Sequence, residues 1–453
     1  MFDLRIMIEL GGIEKYVGSI TGTSQTDAVF AYAPEYLEDE NSKAISISLP
    51  LSERKFDPVR TENFFEGLLP EGFTRRCVAE WLRADERDYI AILAGLGKEC
   101  LGAIKVIAQG EPEIAADYRL LTSEEVRLLA EEGASKSADI VVKSHLSLTG
   151  ASGKVGLYFD NQSGKWYQPI GDAPSTHIVK QSHVRLSRIV TNEQICLMTA
   201  RNLGIATAES FPIMTDAVGS DDLLLATKRY DREFPATDHG SLLDAANLAN
   251  PTNPTNMSDE GKNVKKPING LPVPFRLHQE DFAQALGIAA ADKYEKNSAG
   301  YLAKAFDLLR RYSAQPIEDQ LRLWDICVFN YLVGNTDNHI KNISLLYTKD
   351  LGAVRLAPAY DLVSTAVYES SSEDMALAIG GEYNLHKITR KSFEEEAKKV
   401  GLGTKLAMKH FDEMAEAFPE ALSKARDEAE SMGLPGAAEI ADLILRRKEN
   451  VES

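Results

Sequence analysis

At 453 residues, with 44% hydrophobic content, the chain is globular and long enough for about three domains or subdomains. Its 68 acidic against 50 basic residues leave a formal charge of −18, which argues against direct wrapping of phosphate backbones, since that binding needs Lys and Arg to neutralise phosphates. Met1-Phe2-Asp3-Leu4-Arg5 sets acid and base around a short apolar run, and no run approaches ~18 apolar residues, so the expectation is a cytoplasmic protein with no export signal and no membrane span.

In chain order, residues 1 to about 110 alternate strand-like runs, such as Ala44 to Leu51, with a helix around Phe73 to Leu82. Glu111-Pro112-Glu113 reads as a linker. Ser147-Leu148-Thr149-Gly150-Ala151-Ser152-Gly153-Lys154 is a small-residue loop entering the apolar run Val155 to Phe159. Such residues let successive backbone amides approach a phosphate, although a turn without a ligand fits the same residues equally well. It is not a Walker A loop, because Leu148 stands where that motif has glycine and Val155 follows Lys154.

Thr176-His177-Ile178-Val179-Lys180 reads as a strand with Ile178 and Lys180 on one face and His177 and Val179 on the other. A lysine ending such a strand can reach phosphates or simply be solvated. Thr191-Asn192-Glu193-Gln194 has capping-box spacing and should open a helix closed by Gly204. Glu193 there is expected to answer the helix dipole in preference to pairing with Lys180. Leu223 to Tyr230 is a further strand candidate, and Asn250 to Gly270 lacks apolar periodicity and reads as a mobile surface loop.

Leu321 to Val333 is apolar almost all round, as a helix inside a core would be, and Gly334 should stop it. The loop that follows carries Asp337-Asn338-His339-Ile340-Lys341-Asn342. Asn342 to Tyr347 and Val354 to Ala357 look like two short strands joined by a turn, which would bring Asp361 back towards Asp337. Asp, then Asn five positions on, then a downstream Asp is the spacing of a protein-kinase catalytic loop, where it supplies a base and magnesium ligands. Polar turn formers would satisfy the first two positions alone. Phe393, Ala397 and Val400, like Phe411, Met414 and Phe418, repeat at helical spacing. The four cysteines lack Cys-x-x-Cys spacing and suit reduced thiols; the eight histidines lack His-x-x-x-His spacing, which leaves a zinc site unsupported.

Several of these words, with Gly67-Leu68-Leu69-Pro70-Glu71-Gly72, Asn192-Glu193, Arg229-Tyr230-Asp231-Arg232, Leu277-His278-Gln279-Glu280-Asp281-Phe282 and Tyr360-Asp361, occur in an order and spread in which the chain resembles the HipA family of bacterial serine/threonine kinases. These are toxins of two-gene persistence modules. The resemblance implies an α+β, bilobal kinase-like fold: a small N-terminal domain (1–110), a β-rich nucleotide-binding lobe (111–235), a flexible insertion (236–276) and a mainly helical catalytic lobe (277–453). It implies Asp337 as catalytic base, Asn342 and Asp361 as magnesium ligands, and Lys180 on the ATP phosphates. Ser152, Gly153, Lys154, Lys228, Tyr230, His339 and Lys341 complete the expected nucleotide site, with Lys228 to Tyr230 at the hinge facing adenine. Ser147 matches a serine whose autophosphorylation shuts the kinase down. The implied partners are a translation-related protein substrate such as an aminoacyl-tRNA synthetase and a helix-turn-helix antitoxin through which alone DNA is met.

The chain departs from the family pattern at Lys228, where an acidic residue is expected, and at Ser152-Gly153, which replaces a more polar pair. Two rival readings are a nucleotide-binding pseudokinase serving as a corepressor scaffold and a magnesium-dependent hydrolase using Asp337 and Asp361.

Overall fold

A computed structural model describes residues 1–110, 114–131, 153–181, 186–215, 223–235 and 265–452. Strand β1 (Phe2–Leu10) turns at Gly11-Gly12, both with positive φ as a tight hairpin requires, into β2 (Ile13–Gly22). With β3 (Val29–Tyr32) and β4 (Ile104–Ala108) they form an antiparallel sheet ordered β3-β2-β1-β4. Its apolar face, including Ile6, Ile8, Val17 and Phe30, is fully buried with the helices Pro58–Phe65 and Tyr89–Leu96. The expected helix spans Gly72–Leu82. Ala44 to Leu51 is not a strand: it runs as turns, because its polar atoms bond to the distant helical lobe instead of to a neighbouring strand. Ser46 Oγ and Ile47 N donate to Glu280 at 2.5 and 3.1 Å, and the Ile45 carbonyl contacts His278 Nε2 at 2.7 Å.

The second sheet is built from β5 (Asp117–Leu120), β6 (Lys154–Asp160), β7 (Lys165–Ile170), β8 (His177–Gln181), β9 (Ser210–Ile213) and β10 (Leu224–Lys228), ordered β5-β7-β6-β8-β10-β9. The two-residue period of β8 holds. His177 packs edge-on to Phe159, Trp166 and Phe211, and burial pushes its pKa down to about 4; Ile178 and Lys180 face the cleft. The next helix is Ile189–Asn202 with Arg188 at its N-cap, so Thr191 to Gln194 lie inside it and do not open it. Burial of Val190 explains the earlier start: the apolar pair before Thr191 is drawn into the core and the chain is already helical there. This helix packs between its own sheet, at β9 and β10, and the helix Thr404–Ser431, where Asn202 Nδ2 donates to the Ala421 carbonyl at 3.1 Å.

The helical lobe is centred on Pro316–Val333, capped by Gly334 at φ 73 as expected. Trp324 and Tyr331 pack around Phe393, which also meets Phe411, joining this helix to Arg390–Lys399 and Thr404–Ser431. Truncating Trp324, which is 1% exposed, to alanine would cost about 3–5 kcal/mol. The strand pair expected after the polar loop is present as Ser344–Tyr347 against Val354–Leu356, with Gln279–Asp281 on the other edge. The molecule is thus an α+β protein with a sheet-rich and a helical lobe facing one cleft, and the N-terminal sheet domain docked beside both. Cys100, Cys196 and Cys327 are buried free thiols and Cys77 is half-buried. Among the described residues, no helix is long and apolar enough to cross a membrane.

Candidate active site

Between the lobes lies a cleft of about 810 Å³ counting its open mouth, lined by residues of both lobes. Its floor is set by strand register. Lys154 on β6 and Lys180 on β8 are directly opposed cross-strand partners, so two ammonium groups stand side by side on one face. Like charges so placed repel unless an anion lies between them. Asp361 fills that role: its Oδ1 pairs with Lys180 and its Oδ2 lies 3.2 Å from Lys154. Glu193 takes a second bond from Lys180. The dipole reading of Glu193 is therefore corrected, since the residue sits inside the helix and its carboxylate reaches the lysine of the neighbouring strand.

The electrostatics follow. Burial opposes ionisation of Asp361, but Lys154 and Lys180 outweigh it and hold its carboxyl far below the usual range. Burial likewise opposes the Lys180 charge, and Asp361 and Glu193 outweigh that, keeping the ammonium protonated. Glu193 moves the other way, pushed up by burial and by the nearby Asp361 charge.

Asp361 is itself held in the left-handed region, at φ 53, an uncommon conformation for a residue with a side chain. The hydrogen bonds around it over-determine that turn. Asn335 Nδ2 donates to the Asp361 carbonyl at 3.3 Å, and Asn192 exchanges two bonds with Ser364, at 2.8 and 2.9 Å. Such strain is commonly stored at functional sites.

The loop after Gly334 is just as tightly held. Thr336 N donates to Thr365 Oγ1 at 2.7 Å, Asp337 N to Asn335 Oδ1 at 3.1 Å, and Asn342 Nδ2 to the Asp337 carbonyl at 3.1 Å. That last bond leaves the Asn342 amide oxygen as an acceptor, and Asn342 and Asp361 both line the cleft. Two hard oxygen donors of this kind suit magnesium. Asp337 stands exposed at the rim and does not line the cleft; its Oδ1 accepts from Tyr294 at 2.5 Å. His339 is buried, with its pKa pushed down to about 3 first by burial and then by Lys293, so it is neutral near pH 7. Its Nδ1 has no hydrogen-bond partner among the described residues. Lys341 is buried on Asp281 at 2.7 Å.

At the hinge, Tyr230 donates to Gln279 Oε1 at 2.5 Å, and the Lys228 ammonium turns to Glu209 at 3.2 Å on the surface. Gly153 is buried, its carbonyl accepting from Gln181 N at 3.4 Å. Ser147 and Ser152 lie outside the described residues. The structure therefore gathers Lys154, Lys180, Lys228, Tyr230, His339, Lys341, Asn342 and Asp361 around one cleft, with Asp337 at its edge. Sequence reasoning gave no role to Glu71, which also lines the cleft, or to Tyr294. The Gly67–Gly72 word was the available signal for Glu71; nothing local marked Tyr294.

A bilobal α+β fold with a lysine–carboxylate floor and an Asp-x-x-x-x-Asn loop at the rim defines a kinase-like protein. The family profile of the HipA N-terminal domain matches residues 13–107, and that of the HipA-like C-terminal domain matches residues 146–422. Y4mE of Sinorhizobium fredii, provisionally named a kinase, is 30% identical over 93% of this chain and 92% of its own length. The serine/threonine-protein kinase toxin HipA of Shewanella oneidensis is 24% identical over 93% of this chain and 89% of its own. A HipA chain from Shewanella oneidensis, solved with HipB and operator DNA, superposes with a TM-score of 0.72 at 22% identity, covering 99% of this chain and 97% of that one. The chain belongs to the HipA family.

Proposed function

We propose that the protein is an ATP- and magnesium-dependent serine/threonine protein kinase of HipA toxin type. The observation that carries this reading is the opposed pair Lys154 and Lys180, neutralised by one strained Asp361 at the bottom of a cleft whose rim bears Asp337. In this reading Lys180 and Lys154 receive the nucleotide phosphates, and the hinge from Lys228 to Tyr230 faces adenine. Magnesium, held by Asn342 and Asp361, would offset the phosphate charge. Asp337, exposed at the rim, orients the acceptor hydroxyl and takes its proton. Catalysis of this type is mostly positioning and electrostatic stabilisation, which suits a loop so thoroughly hydrogen-bonded.

The family relation supports a translation-related protein such as an aminoacyl-tRNA synthetase as substrate, growth inhibition as the outcome, and a helix-turn-helix antitoxin as the route to DNA. Ser147 is proposed as an autophosphorylation site, since phosphate in a loop that holds other phosphates would repel them.

The deciding experiment is incubation with γ-labelled ATP, magnesium and cell lysate, followed by phosphosite mapping. Label on serine or threonine of a protein supports the kinase. Free phosphate alone would point to a hydrolase, and nucleotide binding without turnover to a scaffold.

A further inference from the structure

The Gly67–Gly72 segment of the N-terminal domain ends inside the catalytic cleft. Glu71 Oε2 pairs with Lys293 at 2.5 Å, and its Oε1 lies 3.8 Å from Lys341. Each lysine leads to a different end of the catalytic loop. Lys341 belongs to the loop itself. Lys293 precedes Tyr294, whose hydroxyl donates to Asp337, and the Lys293 carbonyl accepts from Ile340 N at 3.3 Å. The Tyr294 ring also stands edge-on to His339, 5.1 Å between centroids.

Docking of the N-terminal domain does not need this carboxylate. Asn63 Nδ2 donates to the Gly287 carbonyl at 2.8 Å and Gln284 Nε2 to the Phe64 carbonyl at 2.9 Å, and neither bond involves Glu71 or a residue of the loop. Gly67 packs so closely on Gln284 that a Cβ there would lie 2.6 Å from its side chain. The charge pattern is specific as well. Two carboxylates, Glu71 and Asp281, face two ammonium groups, Lys293 and Lys341, beside a neutral imidazole. Without Glu71, Lys341 keeps Asp281 and the Gly67 carbonyl at 3.5 Å while Lys293 loses the carboxylate it pairs with, and the surplus positive charge sits next to the base.

We infer that Glu71 is a positioning residue for phosphoryl transfer: a carboxylate of the N-terminal domain that holds Lys341 directly and Asp337 through Lys293 and Tyr294. The inference rests on the kinase reading. It makes the N-terminal domain part of the catalytic apparatus and gives its Leu-Pro-Glu-Gly word a physical role.

The test is single-turnover transfer from γ-labelled ATP by the full chain, with affinity for a non-hydrolysable ATP analogue and thermal unfolding measured in parallel. Glu71→Gln should slow transfer about 10- to 100-fold while changing analogue affinity by less than about threefold, because the loop is misplaced but the lysine floor is intact. Glu71→Asp should recover part of the rate, and Lys293→Gln should reproduce the loss from the other side of the pair. Asn63→Ala, which loosens docking alone, should keep the rate of the unmutated protein.

Unchanged transfer in Glu71→Gln overturns the inference; if that variant does not fold, unchanged transfer in Lys293→Gln overturns it equally. A loss in Asn63→Ala as large as in Glu71→Gln overturns it too, by reducing the effect to docking. No transfer by the unmutated protein removes the kinase reading and this inference together.

Discussion

Two of the ion-pair clusters within the protein put charge to different uses. Beneath the hinge, Glu99 accepts from Arg229, Arg232 and Arg276, while Glu9 and Asp231 complete the set, all with side chains no more than 2% exposed. In the cleft, Lys154, Lys180, Glu193 and Asp361 form the second cluster, with side chains 10–21% exposed. Each of these two sets is formally neutral by itself, with Lys265 adding one ammonium at the edge of the hinge set through Glu9 at 2.6 Å. The hinge cluster is built on arginine, whose planar fork satisfies several acceptors in fixed directions, and every partner it needs is protein. The cleft cluster is built on lysine, a rotatable point charge, and opens on solvent. In the proposed kinase a ligand phosphate would compete with Asp361 for Lys154 and Lys180, whereas Glu99 is closed off from solvent. Buried charge that is closed on itself specifies how four segments meet; buried charge with one open side is open to exchange.

If that contrast is right, substitutions in the two regions should fail differently. The largest effect is expected at the cleft rim, where Asp337→Asn should slow phosphoryl transfer about 10²–10⁴-fold, with nucleotide affinity and unfolding midpoint nearly unchanged. Label-transfer kinetics beside calorimetric titration measure both. Turnover close to that of the unmutated protein would remove the base from Asp337.

Glu99→Gln should do the reverse, lowering stability by about 3–5 kcal/mol in urea unfolding, because three guanidinium groups lose their common anion. A variant as stable as the unmutated protein would break the comparison.

Glu280 sharpens it further. Burial pushes its carboxyl up to about 7 from 4.5, its bonds among the described residues being to the neutral donors Ser46, Ile47 and Tyr347. Glu99 is equally buried, yet its arginines draw it below the usual range. Below about pH 4.5, Glu280 is protonated in both folded and unfolded chains and costs nothing. Between about 4.5 and 7 the unfolded chain releases the proton and the folded one keeps it, so stability falls, by about 3 kcal/mol in all. Glu280→Gln should remove that part of the decline when unfolding is followed across this range, and an identical profile in the variant would refute it.

The smallest effect belongs to Lys228→Glu. Its pair with Glu209 is 40% and 64% exposed, so its loss should change stability by less than about 1 kcal/mol. Because the ammonium points away to the surface, nucleotide affinity should also change little; a large gain would mean that the hinge reads adenine with side chains.

Legibility tracks how local each feature is. The Pro316–Val333 helix, its Gly334 stop, the hairpin behind the loop and the two-faced β8 strand all followed from periodicity and turn chemistry, and the ordered family words carried the bilobal fold. Ala44 to Leu51 was misread because its backbone answers to Glu280 and His278 in the other lobe. Glu193 was misread because a carboxylate near a helix start has a local explanation, while its actual partner lies on another strand.

The sequence by itself therefore determined the elements, their order, the family and the residue types available for chemistry, since propensity, capping and side-chain period act over a few neighbouring residues. Only the tertiary structure decided which charges share one another. Asp361 meets Lys180 across 181 positions, and Glu71 reaches Lys341 from a separate domain. Ion pairing depends on separations of a few ångströms and on exclusion of water, and neither exists until distant elements have packed.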